Sequence, residues 1–159
     1  MELRAYEGCA MTTVMSPQTI STMSTLYNGS SGTVAGLDTQ GYDGVTLLIN
    51  TGTFSTAASV DVTVMESDTA DSSTATAITG ASLSTISHGG GNDAKLYIGY
   101  VQAFKQKRYL TVKVRYNPNC YAGGNAPIGI IAIMDRYQKR PLTPRASLDF
   151  VVDEYTGIA

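Results

Sequence analysis

From Ser59 to Ser67 the chain alternates strictly. Val60, Val62 and Val64 fall on one side, and Asp61, Thr63 and Met65 on the other. The stretch Arg108–Tyr116 repeats the pattern, with Leu110, Val112, Val114 and Tyr116 opposite Tyr109, Thr111, Lys113 and Arg115. Period two is the signature of an extended strand whose successive side chains face opposite ways, so each segment reads as a half-buried strand. Gly44–Asn50 is a third strand, bounded by Gly41 and Gly44 before it and by Asn50-Thr51-Gly52 after it. Lys95–Val101 is a fourth. Ile128–Met134 is the longest apolar run, and its continuity predicts a central strand covered on both faces.

Elsewhere the pattern is weaker. Thr12–Met15 and Thr19–Tyr27 are candidate strands separated by Ser16-Pro17, and Thr33–Leu37 is a short one. Asn28-Gly29-Ser30-Ser31-Gly32 reads as a turn, because glycine adopts positive φ without strain. Asp68–Ser87 is rich in Ser, Thr and Ala and predicts a surface connection with a weak strand or helical turn near Ala75–Ile78. Three glycines after His88 predict a loop tip, and Asn117-Pro118-Asn119 with Gly123-Gly124-Asn125 predicts another. About seven or eight short strands without a long helix predict an all-β chain, a β-sandwich or jelly roll. The expected division is an N-terminal arm or edge strands over 1–25, a sandwich over 26–140 and an extended C-terminal arm over 141–159. Pro141 and Pro144 favour extended backbone in that last segment. Its Leu148, Phe150, Val151 and Val152 are too apolar for a free tail and predict docking on this subunit or a neighbour.

Composition changes this picture in one respect. Charged residues make up 15% of the 159, well below the usual ~25%. Between Ala5 and Ala94 there are eight acids and no Lys or Arg; between Lys95 and Arg145 there are ten Lys or Arg and one acid, Asp135. Two readings compete: an ordinary solvated surface, or a bipolar subunit whose basic part meets an acidic part of a neighbour. On the second reading Arg136, Lys139 and Arg140, with the apolar Leu148, Phe150 and Val151, are the candidate interface residues. A net charge of −2 and basic residues interrupted by apolar ones argue against a nucleic-acid partner. No apolar run approaches the ~20 residues of a membrane span, and Met1–Met15 lacks the pattern of a secretory signal. Cys9 and Cys120 are accordingly expected as free thiols.

Candidate chemistry is sparse. The lone histidine, His88, and the two cysteines show no metal-ligand spacing, so His88 is expected to be a loop residue. Asp61, Glu66, Asp68 and Asp71 lie close in sequence, and paired carboxylates can bind calcium or hydrolyse glycosides. Their spacing does not match a calcium loop, and Asp61 sits on the polar side of a strand. No Gly-x-Ser-x-Gly elbow or phosphate-binding glycine motif is present. Ten tyrosines could stack on sugar rings, though in strands they more often fill core and interface positions. The expectation is a non-enzymatic protein without a cofactor.

Four segments carry a resemblance. They are Tyr42–Thr53, Asp61–Asp68, Tyr97–Tyr100 running on to Lys107–Val112, and Ile131–Pro141. Over roughly Gly41–Pro141 the chain resembles small structural proteins of tailed bacteriophages encoded among the head genes, including jelly-roll capsid decoration, or cement, proteins. It departs from them by inserting Phe104-Lys105-Gln106 and by its long Asn117–Asn125 loop. The resemblance implies a virion protein on the capsid surface, assembled in the host cytoplasm. It also implies a major capsid protein and further copies of the chain, as a dimer or trimer, for partners. A neck or tail connector and a carbohydrate-binding β-sandwich are the alternatives.

Overall fold

The computed structural model describes residues 9–21, 25–56, 58–88, 92–116, 124–136 and 150–152. Ten strands form along these: β1 Cys9–Ser21, β2 Thr25–Tyr27, β3 Leu37–Asp38, β4 Gly44–Thr51, β5 Ser59–Ser67, β6 Thr76–Ser87, β7 Leu96–Val101, β8 Tyr109–Tyr116, β9 Asn125–Asp135 and β10 Phe150–Val152. Single-turn 3-10 helices at Ser72–Thr74 and Ala103–Lys105 are the helices among the described residues.

The strands make two five-stranded sheets. The first has the order β1-β9-β4-β7-β10; the second has β2-β8-β5-β6, with β3 pairing β8. Apart from the β2–β3 and β5–β6 steps, the chain changes sheet at each step from β1 to β9. Two packed layers wound in this way are a jelly roll, so the fold is an all-β sandwich of the expected class. The pairs within it are antiparallel, and β10 joins the edge of the first sheet in parallel with Gly99–Val101.

The alternating strands bury the faces that their periodicity predicts. Val60, Val62 and Val64 of β5 and Leu110, Val112, Val114 and Tyr116 of β8 are all buried. Opposite them lie Val45, Leu47 and Ile49 of β4 and Ile128, Ile130 and Ala132 of β9. Phe54, in the connection after β4, is also buried, and its N–H donates to Asp93 Oδ2 at 2.9 Å. Among the described residues no buried side-chain nitrogen or oxygen lacks a hydrogen-bond partner.

Three local expectations are corrected. Pro17 does not end a strand: β1 continues through it, with register shifts between Thr13 and Met15 and between Met15 and Gln18. A proline is tolerated there because β1 is an edge strand and the bulge leaves its missing N–H unneeded. Residues 76–87 are not a surface connection but the 12-residue strand β6, burying Ile78, Ala81 and Ile86. Its period is hidden by two irregularities. The partners of Val60 and Val62 are Ile86 and Leu83, and those of Thr63 and Met65 are Ser82 and Ala77. The extra residues include Gly80 and Thr85, both at positive φ. Finally, β9 is covered on one face only. Ile128 and Ile130 are buried, whereas Ile131 is 38% exposed.

Asn28-Gly29 forms the tight turn after β2. Both residues have positive φ, 46° and 83°, as a type I′ turn requires. Asn28 then fastens the loop to β8: its Oδ1 accepts the Val112 N–H at 2.8 Å and its Nδ2 donates to Ala35 O at 2.9 Å.

Candidate interaction surfaces

The two outer faces of the sandwich differ in chemistry. On the second sheet, register aligns Thr25, Arg115 and Asp61 in one row and Tyr27, Lys113, Thr63 and Ser82 in the next. Arg115 donates to Asp61 at 3.0 Å, and the Lys113 ammonium lies 5.9 Å from the Tyr27 ring centroid. That face is polar and charged.

The outer face of the first sheet is not. One row runs Met11, Ile133, Thr46 and Tyr100; the next runs Thr13, Ile131, Leu48 and Ile98; a third runs Gly129, Asn50 and Leu96. None of these residues is ionisable at neutral pH. Asp135, paired with Gly44 and Cys9, marks one end, and Lys95 precedes the other. Met11 is 67% exposed and Leu96 54%. Leu96 borders an open groove of about 720 Å³, lined also by Pro17, Leu48, Asn50, Gly129 and Ile131. Gly129 keeps its floor low: a Cβ there would come within 3.2 Å of Pro17 Cγ. At the far end, the Tyr100 ring lies across Gly44, where only a glycine leaves room.

The charge asymmetry along the sequence resolves within the chain. Arg108 donates to both carboxylate oxygens of Asp38, at 3.0 and 2.7 Å. Lys107 pairs with Asp68 at 3.0 Å, and Arg115 with Asp61. For these residues the acidic first part meets the basic second part inside one subunit rather than across a joint. The Arg108 hydrogen bond, with help from the Gln40 N–H, lowers the Asp38 carboxyl from 3.8 to about 2. The Phe54 N–H likewise holds Asp93 below the usual carboxylate range.

The four clustered acids also have structural work. Asp61 Oδ1 accepts the Thr85 N–H at 2.8 Å, which holds the β6 irregularity. Glu66 accepts the Lys107 N–H, and Asp71 caps the 3-10 helix by accepting the Ser73 N–H. Among the described residues no group of three or more His, Cys, Asp or Glu is placed to hold a metal. His88 is a loop residue beside Asp93, Nδ1 to Oδ2 at 3.4 Å. Cys9 is a free, exposed thiol; Cys120 lies outside the described residues.

Several tyrosines are already occupied. Arg108 lies over Tyr109 at 5.0 Å, Arg136 over Tyr42 at 5.1 Å and Lys113 over Tyr27. Tyr116 is buried, and the Tyr97 hydroxyl donates to Asn92 O. Of the six candidate interface residues, Arg136 is thus exposed but folded onto Tyr42. Phe150 and Val151 align in β10 with Gly99 and Tyr100. Lys139, Arg140 and Leu148 lie outside the described residues. The uncharged outer face escaped sequence reasoning. Its signal was present in the alternate positions Gly129, Ile131 and Ile133, which the continuous apolar run assigned to a second buried face.

No family model matches the chain, and no curated protein matches it. Among solved structures it is similar to the VP2 subviral particle of infectious bursal disease virus, with a TM-score of 0.45 and 10% identity over 80% of this chain and 32% of that one. It is also similar to the structure of the Gx strain of the same virus, with a TM-score of 0.46 and 10% identity over 84% of this chain and 34% of that one. The chain therefore spans about one third of the length of these solved chains.

Proposed function

We propose that this chain is a virion structural protein of the decoration type, which binds an assembled shell of major capsid protein and clamps neighbouring subunits. The observation that carries this reading is the two-faced sandwich: one outer face charged and internally paired, the other broad, uncharged and mostly apolar, with Thr13, Thr46, Asn50 and Tyr100 among its aliphatic residues. A jelly roll by itself selects no function, since folds host many. A face of this kind suits a protein that acts by contact. The resemblance of Tyr42–Thr53, Asp61–Asp68 and Ile131–Pro141 to phage head proteins supplies the class of partner. Binding to the assembled state alone stabilises it by linkage, and many copies on one lattice convert a weak contact into avid attachment. In this reading the protein is not an enzyme, needs no cofactor and resides on the capsid surface.

Cryo-electron microscopy of the native particle tests the proposal. Density for the sandwich at capsomer junctions across the whole lattice is the expected result. A single ring at a portal or tail would assign the chain to a connector instead. The carbohydrate-binding alternative is disfavoured because the rings of Tyr27, Tyr42 and Tyr109 are covered by cations of the same chain. Glycan binding by the isolated protein, lost on replacing exposed tyrosines by alanine, would restore it.

A further inference from the structure

We propose that β10 is a liftable clasp over a strand-acceptor site. Phe150–Val152 occupies the outer edge of β7, and an extended apolar peptide strand of a partner takes the same seat when the clasp lifts. The inference goes beyond the virion reading, because it concerns the side of the sandwich rather than its outer faces.

The edges of the two sheets carry the first argument. A sheet edge presents a row of unpaired N–H and C=O groups and adds a further strand unless something blocks it. β1 carries Pro17 and two register shifts. β6 carries two irregularities, with Gly80 and Thr85 at positive φ. β2 and β3 are three and two residues long. Each of these is a poor template for a new strand. β7 differs. Leu96–Val101 pairs with β4 residue for residue, from Asn50 to Val45, without a shift. It contains no proline and no acid or base. Its other side is therefore a regular edge, and β10 covers Gly99, Tyr100 and Val101 of it.

The clasp is the second argument. β10 is parallel where the other pairs of its sheet are antiparallel. It lies against β6 of the second sheet as well as β7 of the first, so it closes the seam between the layers on that side. Three paired residues supply few ladder hydrogen bonds, while ordering backbone costs free energy at every residue. Such a strand belongs to the low-stability end of a fold and opens without unfolding the rest. Once it lifts, the backbone groups of Gly99–Val101 need new partners. Main-chain pairing then supplies affinity for an incoming strand. The Phe-Val-Val sequence of the resident strand sets the chemistry of that segment, aromatic and β-branched.

Hydrogen exchange and peptide binding on the full chain test this. In the wild-type chain, the Gly99–Val101 amides that β4 does not engage should exchange at least about tenfold faster than those of the β4–β9 ladder. N–H groups alternate sides along a strand, so the joint replacements Val151→Pro and Val152→Pro remove one that faces β7. That variant should exchange the same amides at least about tenfold faster again, with the β4–β9 ladder unchanged. A fluorescein-labelled peptide copying residues 147–154 should bind the variant one to one and restore the lost protection. It should bind the wild-type chain at least about tenfold more weakly, because the tethered strand competes at high effective concentration. Equal binding to both chains, no binding to the variant, or prolines that leave Gly99–Val101 exchange unchanged would overturn the proposal. Wild-type amides at Gly99–Val101 that open only with the whole fold would also overturn it, and that measurement decides the matter should thermal melting show the variant unfolded. None of these outcomes bears on attachment to a shell.

Discussion

At the scale of single residues, the acids that looked like candidate chemistry serve the fold. Asp38 is the clearest case. Its folded value near 2 lies below its ordinary 3.8, so the Arg108 pair contributes stability that is complete above the ordinary value. That contribution fades as pH falls toward the folded one. Both side chains are nearly half exposed, 46% and 47%, so solvent screening limits it to about 1 kcal/mol or less. Replacing Asp38 by Asn should therefore flatten the acid limb of stability between about pH 4 and pH 2, as urea midpoints across that range would register. Asp61 carries more. Asp61→Ala removes the acceptor of the exposed Thr85 N–H at the β6 irregularity as well as the Arg115 pair, and should cost about 0.5–1.5 kcal/mol beyond the loss of the pair. Arg115→Ala removes only the pair and should cost about 1 kcal/mol or less. Equal losses in chemical denaturation would show that the Thr85 contact contributes nothing.

At the scale of elements, β9 shows how one strand serves two surfaces. Ile130 is 1% exposed, and its neighbour Ile131 is 38% exposed. Ile130→Ala opens a cavity between the sheets and should destabilise the chain by about 2–5 kcal/mol. Ile131→Ala removes a side chain from the outer face and should leave stability within about 1 kcal/mol of wild type. Melting curves of the two variants, measured side by side, check the difference. The edge strand β6 makes the complementary point. Its pairing survives two irregularities because Gly80 adopts positive φ without strain and Asp61 supplies the acceptor at Thr85. Neither feature follows from a period-two pattern.

At the scale of the whole molecule, two kinds of contact are separable by salt. Shell attachment through the uncharged outer face should be nearly insensitive to ionic strength, because burial of apolar surface involves no screened charge. Attachment through the basic Arg136, Lys139 and Arg140 would instead weaken as salt rises, since exposed charges are screened over ~10 Å at moderate ionic strength. Measuring attachment across one salt series tests the assignment. Attachment that weakens with salt would move the shell contact to the basic residues.

Taken by itself, the sequence determined the class of the protein. The alternation at Ser59–Ser67 and Arg108–Tyr116, the glycine punctuation around Gly44–Thr51 and the Asn28-Gly29 turn depend on local geometry, so an all-β sandwich and most of its core were legible in it. What tertiary structure decided was every choice that depends on partners distant in the chain. Asp61 and Asp68 meet Arg115 and Lys107 because β5 and β8 are neighbours, and Asp38 meets Arg108 because β3 pairs with β8, which no linear charge pattern specifies. The strand β6 is held by β5 despite its broken period. The apolar run of β9 has one buried face rather than two because the jelly roll has two layers, and a second covering layer cannot be inferred from hydrophobicity alone. The uncharged outer face exists only once β1, β9, β4 and β7 lie side by side and their alternate residues fall into rows.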